Sequence, residues 1–374
     1  MNLKLLFIIV PILLLASFIV IHENFAFGQT NSSTTYNVPQ EQSNSDVLII
    51  NSNTKEAGQN SETVKLPISE LLFDVTPNYD KQGKTVSLSI KLKPGLDDIY
   101  QAISLFNKPR DIVFIYPSFT QAAYSNKGFY DYYHKICDTS CLTVPIPTKV
   151  VGFQSSSIAG ALVLKLLNYP YVKDEDVDKN PDILKQYKRV IVLHNEYVTK
   201  KEFDAITSHP DVVFLYPNAL YAKVSANYDS NTITLVRGHD YPAGVRNGFD
   251  WKYDNSKYEY DIECNNWNFY SKEITPQYNH VFLNCYPEYR LLYSHEILLL
   301  LQKPDPTDLV NDLADWLRYP NQVTSTRVLG NYDISGTYIP QWIAKPANWL
   351  LNGDISEYEF DNIITYLSQQ NIIR

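Results

Sequence analysis

The chain has no run of lysines and arginines, and its formal net charge is -9. An acidic protein without a basic stripe cannot gather phosphates by releasing counterions, so nucleic acid is excluded as a partner. No Gly-x-Ser-x-Gly stretch occurs, which removes the usual serine nucleophile of a strand-to-helix elbow. Cys-x-x-Cys is missing too, so the four cysteines are not spaced for a structural zinc. None of them stands where a strand would turn sharply into a helix, which argues against thiol catalysis.

What is present points outside the cytoplasm. Lys4 and the free amine precede an apolar run over residues 5–21, broken only by Pro11 and Ser17. Ala26-Phe27-Gly28 then offers small residues at the spacing a signal peptidase reads, so residues 1–28 read as a signal peptide. Uncleaved, the same run would anchor the chain in a membrane; this is the one condition under which a membrane is a partner. Lys4 and Glu23 cancel, so cleavage leaves the net charge unchanged. Four cysteines in an exported chain suggest two disulfides, and proximity favours Cys137 with Cys141 and Cys264 with Cys285. The expected location is secreted or on the cell surface.

Residues 29–63 are mostly rich in Ser, Thr, Asn and Gln, without periodicity, and read as a disordered spacer carrying the sequon Asn31-Ser32-Ser33. Val86, Leu88, Ile90 and Leu92 alternate with polar residues, which predicts a half-buried strand ended by Pro94-Gly95. It belongs to a small β-element over residues 64–104. From 105 to 330 strands and helices alternate. Strands are predicted at 111–116, 149–153, 189–193, 211–216, 232–236 and 280–283. Helices are predicted at 156–167, 199–208, 289–301 and 308–317. Such alternation argues an α/β fold with a mostly parallel, doubly wound sheet of the flavodoxin-like or glutamine-amidotransferase-like kind. Residues 227–277, dense in Tyr, Trp, Asn and Asp, read as a β-rich insertion pinned by Cys264 and Cys285. Ser155-Ser156-Ser157 reads as the N-cap of the following helix, and Thr199 with Glu202 as a capping box.

The tail, residues 337–374, reads as a separate helical hairpin. Ser356 and Glu359 suit a capping box, and Phe360, Ile363, Ile364 and Leu367 repeat at helical spacing. With Trp342 and Trp349 before Asn352-Gly353-Asp354, it resembles a short Trp-containing module of secreted archaeal proteins.

Val190-Ile191-Val192-Leu193-His194-Asn195-Glu196-Tyr197 carries the strongest chemical signal. An apolar run reads as a buried parallel strand, and ligands bind at the carboxyl ends of such strands. His194, Glu196 and Tyr197 therefore stand at the usual address for chemistry. Tyr124 follows the strand ending at Tyr116, and Asn218 follows the next strand, so all could converge on one sheet edge. Arg237 and His239 offer a cation and an imidazole after a further strand, and Glu288 is the most plausible additional acid or base. The structural alternative for each is ordinary: a strand cap, a core or surface tyrosine, a turn.

Over residues 110–225 the order of these segments resembles the catalytic domain of the N,N-dimethylformamidase large-subunit family. Thr120, Ala123, Tyr124 and Gly128 match its Thr-x-x-Ala-Tyr run and following Gly. His194, Glu196 and Tyr197 match His-x-Glu-Tyr, and Asn218 with Tyr221 matches the exit from the next strand. Ser125, Val198, Pro217 and Ala222 depart from the family's Asn, Trp, Gly and Trp, which implies a reshaped pocket. The resemblance implies a mononuclear iron held by tyrosine phenolates and a glutamate, acting as a Lewis acid in amide hydrolysis. Tyr124 and Glu196 would be ligands and His194 either a group supporting the ligands or a proton-transfer group; the second tyrosine could be Tyr130, Tyr133 or Tyr171. The expectation is thus a metal-dependent hydrolase, with iron or zinc, acting on C–N bonds of small amides. Asn218, Arg237 and His239 are the candidate substrate-binding residues, and His194 and Glu288 the candidate catalytic ones. Two alternatives stay open: a non-catalytic cell-surface protein whose 29 tyrosines and its tryptophans bind a surface glycan or a protein, and an enzyme-derived fold without activity.

Overall fold

The structure is a computed structural model. It describes residues 47–52, 62–81, 85–148, 157–251, 255, 264, 267–271, 278–302, 306–332, 334–352, 354–355 and 357–374. The expected signal peptide and residues 149–153, read as a strand, lie outside the described residues, as does most of the Tyr- and Trp-rich stretch after Trp251.

Two antiparallel hairpins come first: β1 (Val47–Ser52) with β2 (Glu62–Pro67), and β3 (Phe73–Tyr79) with β4 (Thr85–Leu92). β1 corrects the reading of residues 29–63 as spacer throughout. Val47-Leu48-Ile49-Ile50 is a four-residue apolar run, and Ile50 is fully buried. A polar surround concealed it. Helix α1 (Asp97–Ile103) then leads into β5 (Ile112–Tyr116), α2 (Ser118–Ala123), α3 (Phe129–Tyr133) and β6 (Thr143–Pro145). Next come α4 (Ile158–Leu166), β7 (Tyr171–Lys173), α5 (Asp174–Lys179), β8 (Arg189–Val192), β9 (Tyr197–Val198) and α6 (Lys200–Thr207). The remaining strands are β10 (Asp211–Phe214), β11 (Ala222–Asn227), β12 (Thr232–Arg237), β13 (Phe269–Ser271) and β14 (Asn279–Leu283).

The protein is α/β. Its main sheet runs β13-β14-β10-β8-β5-β7; the last five strands are parallel, and β13 is an antiparallel edge. Both faces are covered, as a parallel sheet requires. Phe114, Ile191 and Val213 point into one apolar cluster with α4, while Val113, Val190, Val192, Val212 and Phe214 point into the other with α5 and α6. The period of two follows from the pleat. A second sheet, β6-β12-β11-β9, lies over α2 and α3 through Phe119, Phe129, Val144, Tyr197, Val224 and Ile233.

This second sheet changes the reading of the 190–197 run. The main-sheet strand ends at Val192. Residues 193–196 cross over, and Tyr197 opens β9, parallel to β11. The predicted helix over 289–301 is also interrupted: Arg290–Leu292 is a 3-10 turn, and α7 (His295–Leu300) starts anew with Ser294 as its N-cap, accepting from Ile297 N–H. Helices α8 (Pro306–Arg318), α9 (Gln322–Gly330), α10 (Ala344–Asn352) and α11 (Glu357–Gln369) follow. Phe360 and Ile364 of α11, Trp316 of α8 and Ile191 of the sheet belong to one apolar cluster, so the tail is packed into the common core.

Both disulfides are present, Cys137–Cys141 and Cys264–Cys285. Among the described residues no helix is long and apolar enough to cross a membrane. Disulfides and this hydropathy are compatible with a protein outside the cytoplasm. Cys264 and Cys285 are separated by 21 residues and are both buried. Replacing both with alanine should cost about 3 kcal/mol on the loop-entropy relation. A shift of the urea midpoint checks this; an unchanged midpoint would show that the bridge does not restrain the unfolded chain.

Candidate functional site

The carboxyl ends of β5, β8 and β10 deliver three chain segments to one place. The β5 exit becomes α2, which ends at Tyr124, and a tight turn then starts α3. Gly128 allows that turn: a Cβ there would stand 2.3 Å from the Ala123 carbonyl oxygen. The Lys127 amide donates to Asp131 Oδ2 at 2.6 Å and holds the α3 entry. The result is Tyr124 and Tyr130 with ring centroids 4.3 Å apart.

The β8 exit is tied down on every side. The His194 amide donates to Ser157 Oγ at 3.2 Å, and the Tyr197 amide to Thr120 Oγ1 at 3.2 Å. The amides of Leu220, Tyr221 and Ala222 donate to the carbonyls of Asn195 and Glu196. Ser157 thus occupies the N-cap position of α4 without capping it, because its hydroxyl receives the His194 amide instead; Ser155 and Ser156 lie outside the described residues. The Thr199 hydroxyl accepts from the Glu202 amide, but the Glu202 side chain turns inward rather than back to the cap, so only half the expected capping box forms.

Three oxygens converge. Tyr130 OH donates to Tyr124 OH at 2.8 Å, Tyr124 OH to Glu196 Oε2 at 3.0 Å, and Tyr130 OH lies 3.4 Å from that same oxygen. Glu196 is fully buried. Of the three tyrosines left open by sequence, Tyr130 therefore shares the site with Tyr124. Tyr171 is on β7, stacked on Phe114, and Tyr133 packs against His239 with centroids 4.0 Å apart.

His194 Nε2 lies 3.6 Å from Glu196 Oε2. Its ring stacks on Tyr216, with centroids 5.5 Å apart, and meets the edges of Tyr124 and Tyr286. Burial pulls its pKa down to about 3, with the Asn218 side chain pulling the other way, so the imidazole is neutral near neutral pH. Burial, reinforced by Glu196, pushes the Tyr197 phenol well above its usual value. That phenol is a proton holder rather than a base.

Glu288 stands one layer further out. Its Oε1 accepts from the Ala159 amide at 2.7 Å, and Tyr216 OH donates to its Oε2. It is linked to His194 through the Tyr216 ring. His239 is buried on the far side of Tyr130, its ring facing Tyr130, Tyr133, Tyr197 and Tyr221. Arg237 is not brought in: it pairs with the exposed Asp250 at 3.0 Å.

Tyr130, Tyr216 and Tyr286 are the aromatic members that sequence reasoning left unassigned or missed. Tyr130 carries a signal, since it falls six residues after Tyr124 across a glycine turn. Tyr216 and Tyr286 carry none, because their relation to His194 exists only across the sheet edge.

Among the described residues no group of three or more His, Cys, Asp or Glu side chains is arranged to hold a metal ion. The converging set is instead two phenols and one carboxylate. No protein-family model matches the chain, and no curated protein matches it either.

Proposed function

We propose that the protein is an exported metal-dependent hydrolase acting on the C–N bond of a small amide. The observation that carries this reading is the triangle of Tyr124, Tyr130 and Glu196 oxygens, with edges of 2.8, 3.0 and 3.4 Å. Oxygen donors about 2.0 Å from one cation stand roughly 2.8 to 3.3 Å from each other; the 2.8 and 3.0 Å edges fall in that range, and a bound ion would displace the phenol protons and draw Tyr130 slightly toward Glu196 from 3.4 Å. The donors are hard oxygens, which favours a ferric ion over zinc. The main sheet supports the same reading. Relabelled in chain order, its parallel strands β7, β5, β8, β10 and β14 run 2-1-3-4-5, the flavodoxin-like order, and the segments carrying Tyr124 and Glu196 leave at the β5/β8 switch point.

Tyr124, Tyr130 and Glu196 would hold the ion, which when bound supplies Lewis acidity toward a carbonyl and lowers the pKa of water. The chain's own residues do the rest. A neutral His194 is the form able to take a proton at Nε2 and pass it to a departing amine. Stacking on Tyr216 fixes its ring plane. Asn218 offers a carboxamide beside it for an amide substrate, and burial keeps bulk water out. His239 orients Tyr130 through ring contact rather than touching substrate, and Glu288 orients His194 through Tyr216.

The test is elemental analysis of the mature protein purified without chelator, followed by a screen of small amides for released amine. Near-stoichiometric iron with turnover supports the proposal. Metal without turnover would leave an enzyme-derived fold, and neither would move the choice to a binding protein. The glycan-binding alternative draws on the aromatic stretch after Trp251, most of which lies outside the described residues.

A further inference from the structure

Behind the crossover, Asp174 and Glu202 are both fully buried. Asp174 opens α5 and Glu202 sits in the first turn of α6. Asp174 Oδ2 accepts from the Phe119 amide at 2.7 Å, and its Oδ1 accepts from Asn195 Nδ2 at 2.6 Å. One carboxylate therefore joins the start of α2, whose end carries Tyr124, to the residue between His194 and Glu196. The Glu202 carboxyl meets that of Asp174. No N–H or O–H among the described residues donates to either Glu202 oxygen. Two carboxyls in contact, with no donor for one of them, need a proton between them.

We propose that Asp174 and Glu202 share one proton, Glu202 donating it to an ionised Asp174, and that this pair is a positioning device holding the Tyr124 and His194–Glu196 segments in register. Its relevance to catalysis rests on the proposed hydrolase site; the pair itself does not. Burial pushes Asp174 up to about 7, and burial together with the Asp174 charge raises Glu202 well above the carboxylate range.

The surrounding groups favour retention of the proton. From α5, Glu175 and Asp178 add negative charge. Asp178 Oδ1 accepts from Thr199 Oγ1, and its Oδ2 from Tyr228 OH of β11. From α2, the Ser118 hydroxyl donates to Glu175. From β5, the buried Tyr116 phenol is itself held protonated by burial and by Asp174. Lys173 flanks α5 at the end of β7, and Lys179 lies over the Tyr228 ring at 4.2 Å.

The sign follows from linkage. Carboxyls with raised folded-state pKa values bind their proton more tightly folded than unfolded. Their stabilisation is complete below the ordinary carboxylate range and is lost as pH rises through about 7 and beyond. Buried histidines act oppositely at lower pH, so the pair is read as a difference between variants.

The experiment compares wild type, Glu202→Gln and Asp174→Asn between pH 5 and 9. It uses thermal melts and amide hydrogen exchange at Glu196 and Tyr197. Glutamine donates without titrating. Wild type should therefore lose about 5 °C or more relative to Glu202→Gln over that range. Its Glu196 and Tyr197 exchange should accelerate beyond the intrinsic pH effect, while the variant's does not. Asp174→Asn places an amide donor against the Phe119 or Asn195 donor and should lower Tm at every pH. Should Glu202→Gln not fold, infrared spectra of wild type labelled with carbon-13 glutamate decide the matter: a protonated carboxyl band persisting at pH 7 supports the pair. Parallel pH profiles, or no protonated glutamate at pH 7, would overturn it. None of these readouts involves metal or turnover. A metal-free, inactive protein with a retained carboxyl proton would refute the hydrolase and keep the pair.

Discussion

Glu196→Gln should lower metal retention at least about 100-fold, more than loss of a supporting residue costs, because it removes the one donor of the triangle that is already ionised before a metal binds. The substitution is close to isosteric. Glutamine Oε1 can still accept from Tyr124 OH, so the 3.0 Å contact that seats the tyrosine has a replacement. The crossover stays tied through backbone bonds from Leu220, Tyr221 and Ala222 and through Thr120. The fold should therefore survive while affinity collapses. Tyr130→Phe removes one phenol but keeps the ring against Tyr124, and should weaken retention by about tenfold or more. Tyr171→Phe, on β7, should change nothing. Elemental analysis and competition with a chelator measure all three. A Glu196→Gln preparation holding as much iron as wild type, with an unchanged melting curve, would falsify the assignment of the centre.

The opposite edge of the same sheet should show a large effect on stability and none on metal. Arg189 begins β8 and Asp211 begins β10. The buried guanidinium makes two bonds of 2.9 Å to Asp211 and a third, of 3.1 Å, to the Leu301 carbonyl. Asp211→Ala takes the charged acceptor away from a desolvated cation that keeps the neutral Leu301 carbonyl, which should cost about 3 kcal/mol. A partial discount for solvent is already in that figure, since the Asp211 side chain is 24 % exposed. Arg189→Met with Asp211→Leu should recover much of the loss, because the charge is removed along with its partner. Denaturant unfolding of the single and double variants measures the cycle, and metal content should match wild type throughout. A double variant no better than Asp211→Ala would show that the pair is not acting as a buried ion pair.

The two experiments separate the ends of the strands by role. Residues at the amino edge hold strands together, and residues at the carboxyl edge meet one another across chain exits. This separation was partly legible. Val190, Ile191 and Val192 are apolar without alternation because both faces of a parallel strand are covered, and that pattern is local. His194 and Glu196 directly follow it, so their arrival at the carboxyl edge could be read from order alone. The departure of Tyr197 into a second sheet could not. That step depends on β11, which begins only at Ala222 and whose polar alternation resembles any hairpin strand.

Distance along the chain set the limit elsewhere. The cysteine pairs were readable because each is close in sequence. β1 was not, since one apolar run of four residues in a polar surround has no period to mark it. Helix α7 is shorter than the apolar pattern over 289–301 predicts, because Leu291, Leu292, Ile297 and Leu298 are all buried and their periodicity runs across the break at Tyr293 and Ser294. The choice among Tyr130, Tyr133 and Tyr171 needed the α2–α3 turn, whose geometry depends on the absence of a Cβ at Gly128.

The sequence by itself determined the α/β class, four of the five parallel strands of the main sheet (β7 carries too short an apolar run), the two disulfides and the presence of a histidine and a glutamate at one strand end. Each of these is written in periodicity, proximity or order, which are properties of short segments. Only the tertiary structure decided that Tyr130 joins Tyr124 and Glu196, that Arg237 stays outside, that Glu288 bonds to Tyr216, and that Asp174 and Glu202 meet behind the crossover. Those contacts join residues on different elements, and no local preference encodes which side chains a sheet edge will bring within hydrogen-bond reach.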